Sequence, residues 1–270
     1  MSTALPTLFL AHGSPMLALT PIPAHDFLRA LGADLPAPRA IVIMSPHWET
    51  AGLRINAPGP LETIHDFGGF PRALFEIQYP AEATDELVGA VASRLEGAGL
   101  TYRRDSGWGL DHGAWVPLSL VFPKLEVPVV QVSVPHDSTP EQIFAIGRAL
   151  APLREQGVLL IGSGGTVHNL RELAPEGAPA PGWAKGFDAY LDEGLATGTI
   201  GSFADLTERP DFRRAHPTEE HLLPLFFAMG AAADAEGHAP APQLLHRSYS
   251  HGSISMSYWQ FDARVDALAA

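Results

Sequence analysis

The 270-residue sequence contains no cysteine, and this absence limits the chemistry that the protein can carry. Disulfide bonds, thiolate metal ligands and a cysteine nucleophile are all excluded. Any bound metal ion must therefore take its ligands from histidine, aspartate or glutamate. The lack of cysteine also fits the reducing cytoplasm, where we expect the protein to be located.

Basic residues are also scarce, since 17 Lys and Arg residues stand against 30 Asp and Glu residues, for a formal net charge of -13. Nucleic-acid binding needs clustered positive charge, so this composition argues against it. No apolar run is long enough to span a bilayer, and the first residues lack the basic segment of a signal peptide. We therefore expect a small-molecule substrate, no nucleic-acid or membrane partner, and either a monomer or a homodimer.

Four apolar runs share one design, because each ends in turn-forming residues followed by a histidine. They are PTLFLAHGSP, RAIVIMSPHWE, VPVVQVSVPHD and GVLLIGSGGTVHNL. Near-continuous Val, Ile and Leu predict strands that are buried on both faces. Helical patterns such as AEATDELVGAVASRLEGAGL lie between them. The alternation predicts an α/β fold, in which one domain over residues 1–270 has a central, mostly parallel or mixed sheet flanked by helices.

Two further segments give expectations about the rest of the fold. The stretch GSISMSYWQF alternates small or polar residues with large apolar ones, which predicts a half-exposed final strand, antiparallel and at an edge. The segment from Leu173 to His216 is rich in Pro and Gly and predicts an excursion from the sheet that contains a helix around Trp183 to Leu195.

The strand-end histidines carry the functional prediction. Ligands of open α/β sheets bind outside the carboxyl ends of the strands, where the pattern places His12, His47, His136 and His168. Two neutral imidazoles on neighbouring rigid strands are the beginning of a metal site, so we assign His12 and His47 as ligands. His136 stands beside Asp137 and is equally well explained as a turn residue.

A third ligand is expected in HPTEEHLLPLFFAMG, where a loop enters an apolar helix that we expect to begin at Pro217 and Thr218. Both Glu220 and His221 are candidates, and the spacing matches no metal motif that would choose between them. His216, at the start of the same segment, is expected to be structural.

Other candidates surround these ligands. His168 follows a Ser-Gly-Gly turn close to an expected helix start, which suits a general base and equally suits a structural residue. His112, in GLDHGAWVPL, is a candidate for the cleft that contains the expected metal site. The loop TIHDFGGFP adds His65 and Phe67, which we group with Trp48 as substrate-binding candidates because aromatic rings beside a metal suit a planar aromatic substrate.

Six motifs, taken together and in this order, resemble the DOPA-dioxygenase branch of the LigB-like class III extradiol ring-cleavage dioxygenases: AHGSP, SPHW, TIHDFGGFP, LDHGAW, GSGGTVHNL and HPTEEHLLPL. The resemblance spans nearly the whole chain and implies a single α/β domain with a mixed sheet. It implies a metal held by His12, His47 and His221. It also implies that this domain is catalytic, with His168 as the acid/base, which could become a fourth ligand of zinc. His112 is implied as the second catalytic residue, lining the substrate pocket.

The resemblance further implies that the protein uses O2 to open the ring of DOPA-like catechols and gives muconic semialdehyde-type products. One divalent metal ion is expected. Fe(II) is expected for dioxygenase activity, and Zn(II) is an alternative occupant because three histidines without a carboxylate also suit zinc. A zinc-dependent hydrolase using the same histidines and a non-catalytic metal-binding protein remain alternatives. Serine hydrolysis through Ser163 is disfavoured, because Ile161 stands where a nucleophile elbow has glycine.

Overall fold

A computed structural model of the protein describes residues 4–124 and 126–261. The strands are β1 (Thr7–Ala11), β2 (Ala40–Thr50), β3 (Leu53–Asn56), β4 (Gly59–Leu61), β5 (Ala81–Ala83), β6 (Tyr102–Asp105), β7 (Val129–Pro135), β8 (Val158–Gly164), β9 (Gln243–Ser250) and β10 (Ile254–Phe261). The α-helices are α1 (Pro23–Asp34), α2 (Arg72–Phe75), α3 (Asp85–Gly97), α4 (His112–Val121), α5 (Pro140–Leu150), α6 (Gly182–Ala196), α7 (Phe212–Ala215) and α8 (Leu223–Ala231).

Eight strands form one mixed sheet in the order β6-β3-β7-β2-β8-β1-β10-β9, while β4 and β5 pair separately. Strands β7, β2, β8 and β1 are parallel neighbours at its centre. Every residue of β1 and β8 is buried, as their near-continuous apolar sequences predict. Helices α4 and α8 pack against these central strands. The predicted α/β fold with a mixed sheet is therefore confirmed, and the carboxyl ends of the parallel strands share one edge.

Antiparallel pairings flank this parallel centre. The final strand β10 is antiparallel to β1, as predicted. The prediction of an edge position and half exposure is wrong, because β9 pairs on its outer side and all eight residues of β10 are buried. The small polar residues of β10 have protein partners instead of solvent: Ser255 Oγ donates to Asp188 at 2.8 Å, and Ser257 Oγ accepts from Arg247 at 2.8 Å.

The helix predictions succeed in part. Helix α3 begins after Thr84, whose side chain accepts from the Leu87 N–H, and it ends at Gly97 as the pattern predicts. Helix α6 matches the helix expected in the Pro- and Gly-rich segment. Helix α8 begins at Leu223, later than expected, because residues 217–222 form turns and Pro224 occupies the first helical turn. Turns also follow β8 where a helix start was expected.

One catalytic domain over residues 1–270 stays a prediction, since the structure describes the chain only within residues 4–124 and 126–261. Over those ranges, no helix has both the length and the apolar character that a membrane crossing requires.

Candidate active site

Three histidines from distant parts of the chain converge at the carboxyl edge of the central strands. His12 follows β1, His47 lies near the end of β2, and His221 precedes α8. One ring nitrogen from each lies within 4.8 Å of the others. Nε2 of His12 is 3.0 Å from Nε2 of His47. We call these residues the three-histidine group. Of the two candidates for the third ligand, Glu220 and His221, the group contains His221.

An irregularity in β2 positions His47. The register between β2 and β7 shifts between Met44 and Glu49, so the strand bends where its apolar run ends. Ser45 Oγ accepts from the His47 N–H at 3.3 Å and donates to Asp111 at 2.6 Å. Helix α4 approaches this bend closely at Gly113, where an added β-carbon would lie 2.8 Å from Cδ2 of His47. The glycine therefore permits the approach.

The tautomer of His12 is fixed by Ser163. The hydroxyl of Ser163 donates a short hydrogen bond to the carbonyl of Gly113, so its oxygen is left to accept from Nδ1–H of His12 at 3.0 Å. A proton on Nδ1 leaves the lone pair of His12 on Nε2, which faces the three-histidine group. Because the hydroxyl proton of Ser163 is already engaged, this contact also argues against Ser163 as a nucleophile.

Carboxylates stand at Nδ1 of the other two members of the group. Nδ1–H of His221 donates to Oε1 of Glu220 at 2.9 Å. Nδ1 of His47 lies 3.5 Å from Oδ2 of Asp66. Both contacts favour the proton on Nδ1 and the lone pair on Nε2, which is the arrangement that outer partners of metal-bound histidines impose. Glu220 is thus a partner of His221.

Burial keeps these imidazoles neutral. It lowers the pKa of His12 and of His221 well below the ordinary value, and neighbouring imidazoles lower both further. Burial also lowers the pKa of His47 to about 4, with His112 acting in the same direction and Asp66 among the groups that oppose it. Metal ions bind the neutral form of histidine, so the group is in its metal-binding form at neutral pH.

This donor set fits a divalent metal ion. Nε2 of His221 is buried and has no hydrogen-bond partner among the described residues, a state that is unfavourable unless something else satisfies the nitrogen. The Nε2 atoms of His12 and His47 face each other, while Nδ1 of His12 bonds to Ser163 and Nδ1 of His47 lies 3.5 Å from Asp66. A single cation would satisfy all three nitrogens, and neutral imidazoles suit the first-row divalent metals.

His112 lies directly beside the group. Its ring centroid is 3.9 Å from that of His47 and 5.5 Å from that of His12. Asp66 accepts hydrogen bonds from the backbone N–H of His112 at 2.9 Å and from its Nδ1–H at 2.8 Å. Burial of Asp66 acts to raise the pKa of this carboxyl group, but the hydrogen bonds that His112 donates outweigh burial and hold the pKa below its usual value.

His168 lies on the other side, stacked on His221 with ring centroids 3.6 Å apart and an interplanar angle of 8°. Burial lowers the pKa of His168 to about 4, and the neighbouring His216 adds to this effect. Its loop is held by backbone hydrogen bonds from His168 N–H to Ala215 and from Gly165 N–H to His221, at 2.9 and 2.8 Å. A rigid turn thus presents His168 next to the three-histidine group.

Aromatic side chains form one wall beside these imidazoles. The ring of Phe67 meets His112 edge-on, with centroids 5.6 Å apart at 87°. Phe70 and Phe75 pack against Phe67 with centroids 5.4 and 5.1 Å away. The loop that the sequence associated with an aromatic substrate therefore reaches the histidines through Phe67.

The other two substrate-binding candidates lie further from the group. Trp48 is buried and stacks on Trp108, with centroids 5.8 Å apart and the rings nearly parallel. His65 donates through Nε2–H to the carbonyl of Ile77 at 3.0 Å. Among the described residues, neither ring makes a ring contact with the three-histidine group, although His65 meets Phe67 edge-on at 5.7 Å.

Two more histidines have contacts that explain them structurally. His136 is exposed, and its Nδ1 lies 3.5 Å from Oε1 of Glu49. His216 is fully buried and donates through Nε2–H to the carbonyl of Thr166 at 2.8 Å. The second contact agrees with the structural role expected for His216.

The partners that hold the histidines were not predicted from the sequence. Asp66 received no role, although it stands between two substrate-binding candidates in TIHDFGGFP. Ser163 was considered only as a nucleophile, and Glu220 only as an alternative ligand. Asp66 and Glu220 could have been suspected because each is next to a candidate histidine in the sequence. Only the fold shows which imidazole each of these side chains contacts.

Comparison with known proteins identifies the family. The family model described as the catalytic LigB subunit of aromatic ring-opening dioxygenase matches residues 6–257. A protein named 4,5-DOPA dioxygenase extradiol from Beta vulgaris is 37% identical over 263 residues, which cover 94% of this chain and 96% of that protein. One of the same name from Escherichia coli (strain K12) is 38% identical over 234 residues, which cover 85% of this chain and 86% of that protein.

A solved structure supports the same conclusion. The crystal structure of an uncharacterized protein from Escherichia coli K12 matches with a TM-score of 0.78 at 31% identity, covering 96% of this chain and all of that one. The family match extends from just before β1 into β10, so it includes every residue of the site described above. The chain therefore belongs to the LigB family of aromatic ring-opening dioxygenases.

Proposed function

We propose that the protein is an extradiol dioxygenase that opens the ring of DOPA-like catechols with O2 and gives muconic semialdehyde-type products. The observation that carries this proposal is the three-histidine group, in which two buried imidazoles and one half-buried imidazole converge and a polar side chain stands at Nδ1 of each. Family membership supports the ring-opening reaction. The names of the relatives from Beta vulgaris and Escherichia coli support the DOPA-like substrate class.

His12, His47 and His221 would hold one divalent metal ion. We propose Fe(II) for dioxygenase activity, with Zn(II) as an alternative occupant. When bound, Fe(II) supplies a redox-active centre through which electrons pass from the catechol to dioxygen. Three neutral imidazoles also meet the ligand preferences of zinc, so selection between the two ions depends on metal availability as well as on ligand type.

His168 acts as the acid/base in this proposal. With a pKa of about 4, its imidazole is unprotonated at neutral pH and can accept the proton of a catechol hydroxyl. It returns a proton as the ring opens. Its stacking on His221 holds it at the edge of the metal site without a covalent or ionic link to that residue. In a zinc-filled site the same imidazole is available as a fourth ligand.

His112 and Phe67 would bind the substrate. Because Nδ1–H of His112 is donated to Asp66, Nε2 of His112 is left to accept a hydrogen bond from a substrate hydroxyl. The half-buried ring of Phe67 offers an aromatic surface beside it. His65 packs against Phe67 and would support that surface. A substrate contact for Trp48 stays a prediction.

The test is anaerobic reconstitution of the metal-free protein with Fe(II) or with Zn(II), followed by O2 uptake and absorbance scanning with DOPA and a panel of small catechols. We expect O2 consumption and a new yellow chromophore in the Fe(II) sample alone. Absence of uptake with Fe(II) verifiably bound would refute the dioxygenase proposal, and ester and amide substrates would then test the zinc hydrolase.

Variants separate the assigned roles. His12→Ala and His47→Ala should abolish metal binding, since each removes one of three ligands. His168→Ala should bind metal normally and lose turnover. His238→Ala is the matched control, because His238 is exposed and its backbone N–H bonds to Asp234 in a remote loop. Full activity in His168→Ala would contradict the acid/base assignment.

A further inference from the structure

We propose that Asp66 is a positioning residue that aligns a metal ligand and a substrate-binding histidine with one carboxylate. This inference rests on the proposed function, because it takes His47 as a ligand and His112 as a pocket residue. The contacts that carry it exist independently of any bound metal or substrate.

The two oxygens of Asp66 divide their contacts between two residues. Oδ1 accepts from the backbone N–H of His112 at 2.9 Å, at the first residue of α4. Oδ2 accepts from Nδ1–H of the same residue at 2.8 Å and also lies 3.5 Å from Nδ1 of His47. One oxygen atom thus faces the Nδ1 positions of two imidazoles whose ring centroids are 3.9 Å apart.

This shared oxygen decides where the imidazole protons reside. A carboxylate oxygen accepts hydrogen bonds and donates none, so it favours a proton on Nδ1 of both rings. The lone pair of His47 then lies on Nε2, toward His12, and the lone pair of His112 also lies on Nε2. Without Asp66, nothing described at Nδ1 of either ring would oppose movement of its proton to Nε2. That movement would remove the metal-binding lone pair from His47.

The loop that carries Asp66 is held by contacts that do not involve His47 or His112. Two residues before Asp66, Ile64 donates its N–H to the carbonyl of Leu110 at 2.8 Å, and its carbonyl accepts from Nε1–H of Trp115 at 3.0 Å. The side chain of Asp66 is 16% exposed, so water competes little for its oxygens. The loop therefore presents the carboxylate at a fixed place, and the two imidazoles orient against it.

Asp66 also supplies negative charge close to the proposed metal site. Three neutral imidazoles bring no negative charge to a divalent cation, so the site relies on groups outside the ligand set. Asp66 at His47 and Glu220 at His221 each place a carboxylate one imidazole away from the Nε2 atoms. Outer carboxylates of this kind raise the basicity of a ligating histidine and hold its orientation.

The test compares Asp66→Asn with wild type and with Glu76→Gln. Asparagine keeps the size of Asp66 but replaces one of its two acceptor oxygens with an NH2 group, which can accept neither from the backbone N–H of His112 nor from the imidazole Nδ1–H groups. Glu76 is a matched control because it lies in the same region of the chain, is exposed, and pairs with exposed Arg72 at 2.8 Å. Zn(II) affinity is measured by competition with a chromophoric chelator, and 15N NMR of the metal-free proteins reports the histidine tautomers.

We expect Asp66→Asn to bind Zn(II) about ten- to a hundredfold more weakly, with signals of His47 and His112 moving away from the Nδ1–H tautomer. Glu76→Gln should match wild type in both measurements. Unchanged affinity and unchanged tautomers in a folded Asp66→Asn protein would overturn the proposal. The measurements use no catechol, so a wild-type protein that fails to open catechols while Asp66→Asn still loses Zn(II) would refute the proposed function alone.

Discussion

Replacing Gly113 with alanine should weaken metal binding at the proposed site, because Gly113 lies where helix α4 contacts His47. An added β-carbon would lie 2.3 Å from Oγ of Ser45 and 2.8 Å from Cδ2 of His47, whereas ordinary contacts begin at 3.4 Å. The helix cannot retreat freely, because the carbonyl of Gly113 accepts the hydrogen bond of Ser163, which in turn holds His12. His47 must therefore shift, by about 0.6 Å if it moves directly away.

The size of the effect follows from this overlap. Overpacking of a buried contact costs about 1–3 kcal/mol, which corresponds to a fall in melting temperature of about 2–4 °C for each kcal/mol in a protein of this size. A displaced ligand also binds metal less well. Loss of outer support for a ligand typically weakens metal binding about ten- to a hundredfold, and a misplacement near 1 Å can lower a rate about a hundredfold. We expect effects of this order in Gly113→Ala.

The assay is Zn(II) competition with a chromophoric chelator, alongside urea unfolding of the metal-free protein. The matched control is Gly89→Ala in α3, where an added β-carbon meets nothing within 4 Å. That variant should bind Zn(II) like wild type and be equally stable or more stable by up to about 1 kcal/mol, because alanine favours helix over glycine. Equal Zn(II) affinities in the two alanine variants would refute the reasoning.

Three further predictions concern single side chains. Phe67→Ala should raise KM for catechols several-fold and leave Zn(II) affinity unchanged; an unchanged KM in steady-state O2 uptake would remove Phe67 from the pocket. Glu220→Gln should weaken Zn(II) binding about tenfold through His221, and equal affinity by chelator competition would contradict this. Burial lowers the pKa of His216 to about 4, so the unfolded chain takes up its proton first as the pH falls below about 6.5, and stability declines toward pH 4. At pH 5 this single group should account for about 2 kcal/mol in urea unfolding of the metal-free protein, and His216→Gln should lose correspondingly less stability between pH 7 and pH 5.

The sequence was sufficient to predict which segments form the central strands and which histidines lie at their ends. Buried parallel strands require long apolar runs, and the runs ending at His12 and His47 are of this kind. Once both strands lie in one parallel sheet, their carboxyl ends share an edge, so the meeting of these two residues follows from the pattern. The same rule also placed His136 at that edge, where its side chain instead faces solvent near Glu49.

Other features depend on contacts between distant segments, which periodicity does not encode. The shift in β2 at His47 lies where α4 approaches at Gly113, and neither feature is visible as a local pattern. The burial of β10 follows from pairing with β9 and from partners for its serines. The role of Asp66 requires knowing that its loop returns to α4.

The position of β1 has a consequence for how the protein is made. β1 carries His12 into the site, yet the strands that pair with it, β8 and β10, are both encoded far downstream. As the nascent chain leaves the ribosome, β1 has no strand beside it until β8 has been synthesised, and its second edge stays open until β10 follows. His221 also emerges after β8. The three histidines can therefore capture the proposed metal ion together only after β8 and His221 have been synthesised, so metal loading is a late event relative to the synthesis of β1.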